Sequence, residues 1–321
     1  MSAAPELVLN DLSGTTAAPD VRTARQWMAQ FVATAQAATA GGVGRVLRTE
    51  RGIDAMALAP DYPLAKWRND REVDIEVRRY LLTLVAKAPY LADIDDPGVR
   101  DKVLSCEFSF KGEEASGIGM AFVLRGLSLS IPSSGDWDYP LLDLHVKELD
   151  EATQTFEFDS TVVHASSPAH VAQHGTWIVT RLKESVSSGA ELMARRSDLF
   201  PSLSFCGSAV GSIEDLSQGH PQLPSVIKRL FELQAYCSTW TEGPFRPGSL
   251  ATKATPESAS TLEQFGEERT FECPDGERRV FSWHLRLTLD GWRLHFIPEA
   301  GPCRMIIGRI GPHLRTAKFR N

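Results

Sequence analysis

The chain has 321 residues, of which 42% are hydrophobic and 23% are charged, an ordinary composition for a globular protein with full hydrophobic cores. At roughly 150 residues per domain this length predicts two domains, and no apolar run approaches the ~18–20 residues of a membrane helix. Residues 278–321 hold nine Lys/Arg and two Asp/Glu, a formal +7, whereas the rest of the chain has 25 basic and 39 acidic residues, a formal −14. A basic segment on an acidic protein indicates an anionic partner.

The beginning of the chain predicts neither a secretory signal nor a packed element. Residues 1–20 are rich in Ala, Pro and Thr and lack a basic start followed by an apolar block, so we predict a flexible tail. The five cysteines are scattered and none forms a CxxC pair. This usage argues against a disulfide framework and favours a reducing cytoplasm.

We predict that residues 21–205 form a mixed α/β domain, and we expect this domain to be regulatory. Apolar residues at helical spacing indicate helices, and alternation with period two indicates a hairpin. The predicted helices are 21–38, 74–88, 170–182 and 188–198, and the predicted strands are 107–110, 127–131, 141–146 and 155–163.

Three histidines in this region are candidate metal ligands. His170 and His174 are four residues apart, the spacing of a zinc pair on a helix, and His164 precedes them. The segment lacks the Glu of a zinc protease, and no clear third ligand follows. We therefore interpret the three as ordinary structural histidines and predict no metal site.

The last third of the chain predicts a helix followed by an antiparallel meander. A helix is expected at 225–240, a polar connection at 241–260 and a short strand at 269–273. Three further strands are predicted at 280–288, 292–296 and 304–310, with a turn at 289–291.

Pairing these strands in order places four basic residues on one face. His284 and Arg286 alternate with Trp283 and the leucines, and Arg293 and His295 alternate likewise, with Arg309 or Arg304 beside them. One interpretation is a solvated outer face, which often carries Arg simply for solubility. The other is a surface that binds phosphate or nucleic acid.

The order of elements resembles the RelE/YoeB/HigB group of bacterial toxins. The matching stretches are FSWHLRLT at 281–288, GWRLHF at 291–296 and MIIGRIGPHL at 305–314. The resemblance covers about the last 100 residues, and it implies an α+β protein in which a mixed α/β domain precedes a RelE-like domain of helix plus antiparallel sheet at 221–321.

What the resemblance implies is RNA cleavage without a metal or cofactor, by attack of the RNA's own 2′-hydroxyl on the adjacent phosphate. The matching catalytic positions are Arg293 and His313, with Arg286 as a second phosphate clamp, and an acid such as Glu268 or Glu272 ahead of the meander. The expected nucleic-acid-binding residues are His284, His295, Arg304, Arg309, Arg315 and Lys318.

The leading hypothesis is therefore an endoribonuclease, a toxin or phage-defence effector of the bacterial cytoplasm, restrained by its N-terminal domain. Its expected partners are RNA, in some cases ribosome-associated, and a protein from a defence or toxin–antitoxin operon, with no membrane. One alternative is a non-catalytic nucleic-acid-binding module. Another is a protein-interaction subunit of a bacterial defence system whose basic face docks an acidic partner.

Overall fold

The structure is a computed structural model that describes residues 4–50, 52–85, 96–149, 154–287, 291–299 and 301–317. The chain divides into two compact units, Ala3–Leu182 and Lys183–Asn321. Helices and several sheets occur together in the chain, in agreement with the predicted α+β class.

The first unit contains a seven-stranded mixed sheet in the order β2-β1-β7-β9-β8-β5-β6 and a separate small hairpin, β3-β4. Pairing is parallel from β2 to β9 and antiparallel from β9 to β6. The strands are β1 Leu7–Leu9, β2 Leu47–Arg48, β3 Ala57–Ala59, β4 Tyr62–Pro63, β5 Cys106–Phe110, β6 Glu113–Glu114, β7 Leu127–Leu129, β8 Leu141–Leu149 and β9 Thr155–Ala165.

The predicted flexible tail at residues 1–20 is wrong for the part that the structure describes. Leu7, Val8 and Leu9 form an inner strand that pairs with β2 on one side and β7 on the other, and all three side chains are buried. A three-residue parallel strand is buried on both faces, so it has no alternation that a sequence pattern could reveal.

The helices of the first unit are α1 Val21–Ala40, α2 Leu64–Trp67, α3 Ile75–Val85, α4 Pro97–Leu104, α5 Ser116–Leu124, α6 Pro168–Gln173 and α7 Gly175–Glu184. The helix predicted at 21–38 is confirmed. Asp20 caps it by accepting a hydrogen bond from the Thr23 amide at 2.8 Å, and Met28, Phe31 and Ala35 bury its apolar face. The helix predicted at 74–88 is confirmed up to Val85, and 86–88 lie outside the described residues.

The three histidines of the first unit each form a hydrogen bond within the fold. His164 is fully buried, with Nδ1 2.6 Å from the Tyr139 carbonyl oxygen and Nε2 2.7 Å from Ser130 Oγ. His174 Nε2 lies 2.9 Å from the His164 carbonyl oxygen, and His170 Nδ1 accepts from a backbone amide. Burial lowers the pKa of His164 to about 4, so its ring is neutral at pH 7.

The second unit contains a five-stranded sheet in the order β10-β16-β15-β14-β11 and a separate hairpin, β12-β13. The predicted meander is confirmed, because β14, β15 and β16 pair antiparallel in order. The strands are β10 Leu203–Phe205, β11 Ala254–Pro256, β12 Thr270–Glu272, β13 Arg278–Val280, β14 Trp283–Arg286, β15 Arg293–Glu299 and β16 Arg304–Gly311. The predicted turn at 289–291 falls mostly outside the described residues.

The sheet of the second unit begins earlier in the chain than the sequence indicated. β10 pairs parallel with β16, from Leu203 opposite Met305 to Phe205 opposite Ile307. Residues 203–205 were assigned by the sequence prediction to the domain at 21–205, but this pairing places them in the sheet of the following unit. The division between the units therefore lies at Leu182 and Lys183, ahead of the predicted start at 221.

One face of this sheet is an apolar core. Leu285, Leu294 and Ile310 form a row across β14, β15 and β16 and are buried, and α11 packs against β16. The helices are α8 Gly189–Ala194, α9 Arg196–Leu199, α10 Gly207–Glu214, α11 Leu223–Thr239 and α12 Ala259–Phe265. The opposite face of the same strands carries the basic residues that the sequence singled out.

Candidate functional site

Strand register brings the predicted basic residues together. His284 on β14 stands opposite His295 on β15, which stands opposite Arg309 on β16, so the three form one row across the sheet. Arg286 stands opposite Arg293 in the next row. The predicted common face of these residues is confirmed.

This face is not a solvated outer surface. The His295 side chain is 1% exposed and Arg293 is 9% exposed. The chain between β11 and β12 lies close to the C-terminal segment over this face: Arg269 donates to the Arg315 carbonyl oxygen at 2.8 Å, and the Ala317 amide lies 3.3 Å from Thr261 Oγ1. The interpretation of a purely solubilising face is therefore wrong for its inner row.

Glu257 lies beside the two facing histidines and contacts His284. It follows β11, whose Thr255 stands opposite His284, and the Glu257 amide donates to the Ser282 carbonyl oxygen at 2.7 Å. These backbone bonds aim the carboxylate at the histidine row. His284 Nδ1 lies 3.1 Å from Glu257 Oε1, and the His284 and His295 ring centres are 5.7 Å apart.

Arg269 completes this buried cluster. Its Nε lies 3.0 Å from Glu257 Oε1, with the two side chains 1% and 6% exposed. Burial on its own raises the pKa of Glu257, but hydrogen bonds from His284 and Arg269 outweigh it and bring that pKa to about 2. Burial lowers the pKa of His295 to about 3, so the ring is neutral at pH 7.

The three predicted catalytic residues lie beside this cluster. Arg286 is exposed, and Arg293 is mostly buried with Nη1 donating to its neighbour's carbonyl oxygen at 3.0 Å. His313 is exposed just after β16, and a Cβ built on Gly291 would lie 3.9 Å from its Cβ. Burial and then the positive charge of Arg293 lower the pKa of His313, whereas burial and then Arg286 lower the pKa of Arg293.

No carboxylate of the described residues lies within ion-pair distance of Arg286 or Arg293. Other arginines of the unit do form ion pairs, such as Arg229 with Glu232 and Arg279 with Asp275. Two facing guanidinium groups with one neutral imidazole next to them are suited to binding a phosphate and to moving a proton at its ester oxygens.

The other predicted nucleic-acid-binding residues are dispersed. Arg309 belongs to the histidine row and donates to the Pro312 carbonyl oxygen at 2.9 Å. Arg304 is exposed at the other end of β16, opposite Glu299. Arg315 forms an ion pair with Glu268, and Lys318 lies outside the described residues.

The acid of the site differs from both residues that the sequence offered. Glu268 is engaged by Arg315, and Glu272 is exposed on β12 opposite Arg278, away from the histidine row. The acidic residue that contacts the histidine row is Glu257, which lies 3.1 Å from His284 Nδ1. Sequence reasoning missed it because it lies in the stretch interpreted as a polar connection, where only the short run Ala254–Pro256 marks a strand.

Comparisons with known proteins give no independent assignment. A scan of protein-family models, a search of curated proteins and a search of solved structures each find no match for this chain. None of the helices in the described part of the chain is long and apolar enough to span a membrane.

Proposed function

We propose that the second unit binds and cleaves RNA without a metal in the reaction, at Arg286, Arg293 and His313. The observation that carries the proposal is the pair of facing guanidinium groups with no carboxylate of the described residues in reach, beside an exposed imidazole. The resemblance of the last 100 residues or so to RelE-type toxins supports the same assignment.

In this reaction the RNA 2′-oxygen attacks the adjacent phosphorus, and the bond from phosphorus to the 5′-oxygen breaks. His313, whose lowered pKa keeps the ring neutral, accepts the proton of the 2′-hydroxyl. Arg286 and Arg293 stabilise the negative charge that develops on the phosphate oxygens. The proton that His313 accepted is released to solvent, and a solvent proton goes to the leaving 5′-oxygen, so the products are a 2′,3′-cyclic phosphate and a free 5′-hydroxyl.

The first unit has a regulatory role in this proposal. Residues 1–182 hold 17 Lys/Arg and 25 Asp/Glu, a formal −8, and residues 278–321 carry a formal +7, so an acidic first unit can compete with RNA for the basic face. The cellular setting that fits such a nuclease is growth arrest or phage defence in a bacterium.

The test uses purified full-length protein with structured and single-stranded RNA, with product ends identified by mass spectrometry. Arg286→Gln and His313→Gln change exposed side chains, so both variants should fold. Each should lower the cleavage rate by about 10²–10³-fold, the usual effect of losing one transition-state cation or one proton-transfer group. Arg278→Gln and His220→Gln are the matched controls and should cleave like the wild type.

The outcomes separate the candidate functions. Cleavage that is lost in both site variants, needs no added divalent metal and leaves cyclic phosphate ends supports the nuclease. Salt-sensitive RNA binding without cleavage would favour the non-catalytic binding module. Neither binding nor cleavage, for the full chain and for residues 183–321 alone, would contradict both.

A further inference from the structure

The cluster of Glu257, His284 and His295 has the composition and spacing of a metal site. One ligand atom of each side chain lies within 4.8 Å of the others, and no other such group of three occurs in the described ranges. Three chain segments supply them: the residue after β11, the middle of β14 and the middle of β15. Backbone pairing across the sheet fixes all three positions.

His295 is the strongest sign that this group holds a ligand. Both of its ring nitrogens are fully buried, and neither has a hydrogen-bond partner among the described residues. Leaving a buried polar group unsatisfied costs about 1–3 kcal/mol, and His295 has two such atoms. In a neutral imidazole one of the two ring nitrogens has a free lone pair that can bind a metal ion.

The donor set selects the kind of cation. Two imidazoles and one carboxylate suit zinc and similar divalent transition metals, whereas calcium and magnesium prefer oxygen ligands alone. Arg269 and Arg309 place positive charge near His295, which opposes any ion held mainly by electrostatic attraction. Zinc gains more of its affinity from bonds to imidazole nitrogen than calcium or magnesium does. The positive charge of Arg269 and Arg309 therefore disfavours calcium and magnesium more than zinc.

Arg269 can stay beside Glu257 when a metal ion is bound. A carboxylate offers two oxygens and about four lone-pair positions, so Glu257 can bind an ion while it remains 3.0 Å from Arg269 Nε. Partners of this kind hold a ligating carboxylate in orientation. Arg269 is in turn fixed by its bonds to the Phe265 and Arg315 carbonyl oxygens.

We propose that Glu257, His284 and His295 bind one divalent transition-metal ion of the zinc class, which joins β14 and β15 to the segment after β11. The ion stabilises the second unit, and its binding does not depend on the proposed RNA cleavage. Three protein ligands leave the fourth position of a tetrahedral ion to a water molecule.

The experiment measures metal binding by the full-length protein. Protein treated with a chelator and dialysed is titrated with Zn²⁺ by calorimetry and with Co²⁺ by visible absorption. We expect one ion per chain, visible Co²⁺ bands of four-coordinate intensity, and a higher Tm with Zn²⁺. His295→Gln and Glu257→Gln should each weaken binding by at least tenfold, an effect that even outer-shell changes reach.

His220→Gln is the matched control, because His220 lies in the same unit and packs against Trp292 outside the cluster. It should bind Zn²⁺ as the wild type does. If His295→Gln does not fold, His284→Gln serves instead, since that side chain is 13% exposed and tolerates replacement better. Wild-type protein that binds no Zn²⁺, or cluster variants that bind it with unchanged affinity, would overturn the proposal. RNA cleavage is not a readout here, so its presence or absence leaves the result intact.

Discussion

Replacing Arg269 by Met should destabilise the second unit strongly. The guanidinium is 1% exposed, lies 3.0 Å from the Glu257 carboxylate and donates to two backbone carbonyl oxygens. Met keeps most of the side-chain volume but leaves a buried carboxylate with only His284 as a partner. Breaking a buried ion pair from one side costs about 3–5 kcal/mol.

The double variant gives the sharper test of this reasoning. Glu257→Gln removes the charge that Arg269→Met leaves unpaired, so the two together should cost less than the sum of the single effects. We expect a coupling of roughly 1–3 kcal/mol, as for other contacting pairs. Additive effects would show that the two side chains do not form the ion pair that the structure describes.

Because the chain has two compact units, the assay must report on one of them. Native-state hydrogen exchange of peptides covering β14 and β15 does so. A loss of 3–5 kcal/mol corresponds to exchange about 10² to 4 × 10³-fold faster, since each 1.4 kcal/mol is tenfold. Arg278→Met is the control, because the ion pair of Arg278 with Glu267 is largely exposed and such pairs contribute little. Unchanged exchange in Arg269→Met would refute the argument.

Two further predictions concern the same unit. Gly308→Ala should destabilise it by about 1–3 kcal/mol in urea denaturation, because the new Cβ would lie 2.5 Å from Phe281 in a packed core. Gly301→Ala is the control and should be neutral in the same assay, because a Cβ at Gly301 would meet open space. Acid should also destabilise the second unit. In metal-free protein the unfolded state protonates His295 below pH 6.5, while the folded state does not until about pH 3. The free energy of unfolding therefore falls as the pH is lowered through that window, by up to about 1.4 kcal/mol per pH unit. His295→Gln should flatten this slope, and an equal slope in both proteins would contradict the assignment.

The period-two pattern of the last strands predicted most of the site's geometry. Alternation in β14 and β15 was enough to place His284, Arg286, Arg293 and His295 on one face, because side chains of a strand point alternately to its two sides. The pattern could not predict how deeply they are buried. A pattern of polar residues on one face of a strand predicts a solvated face. Here residues 257–269 and 315–317 cover that face.

Long-range pairings account for the remaining failures. Leu7–Leu9 is an inner strand only because β2 and β7 flank it, and Leu203–Phe205 enters the second unit only because β16 follows about 100 residues later. Strands of three residues show no period, so their partners decide their role. The sequence pattern missed Glu257 for the same reason, since the position of Glu257 depends on the pairing of β11 with β14.

The charge arrangement supports the proposal that the two facing arginines bind a phosphate. Where a buried arginine only stabilises the fold, a carboxylate lies beside it, as Glu257 lies beside Arg269. Arg293 is nearly as buried, yet it stands opposite the like charge of Arg286, and burial and then that charge lower its pKa. Such an arrangement destabilises the free protein, because each guanidinium disfavours the other. A bound phosphate removes this repulsion and gains two charge-assisted contacts, so the geometry that weakens the free fold favours an anionic substrate.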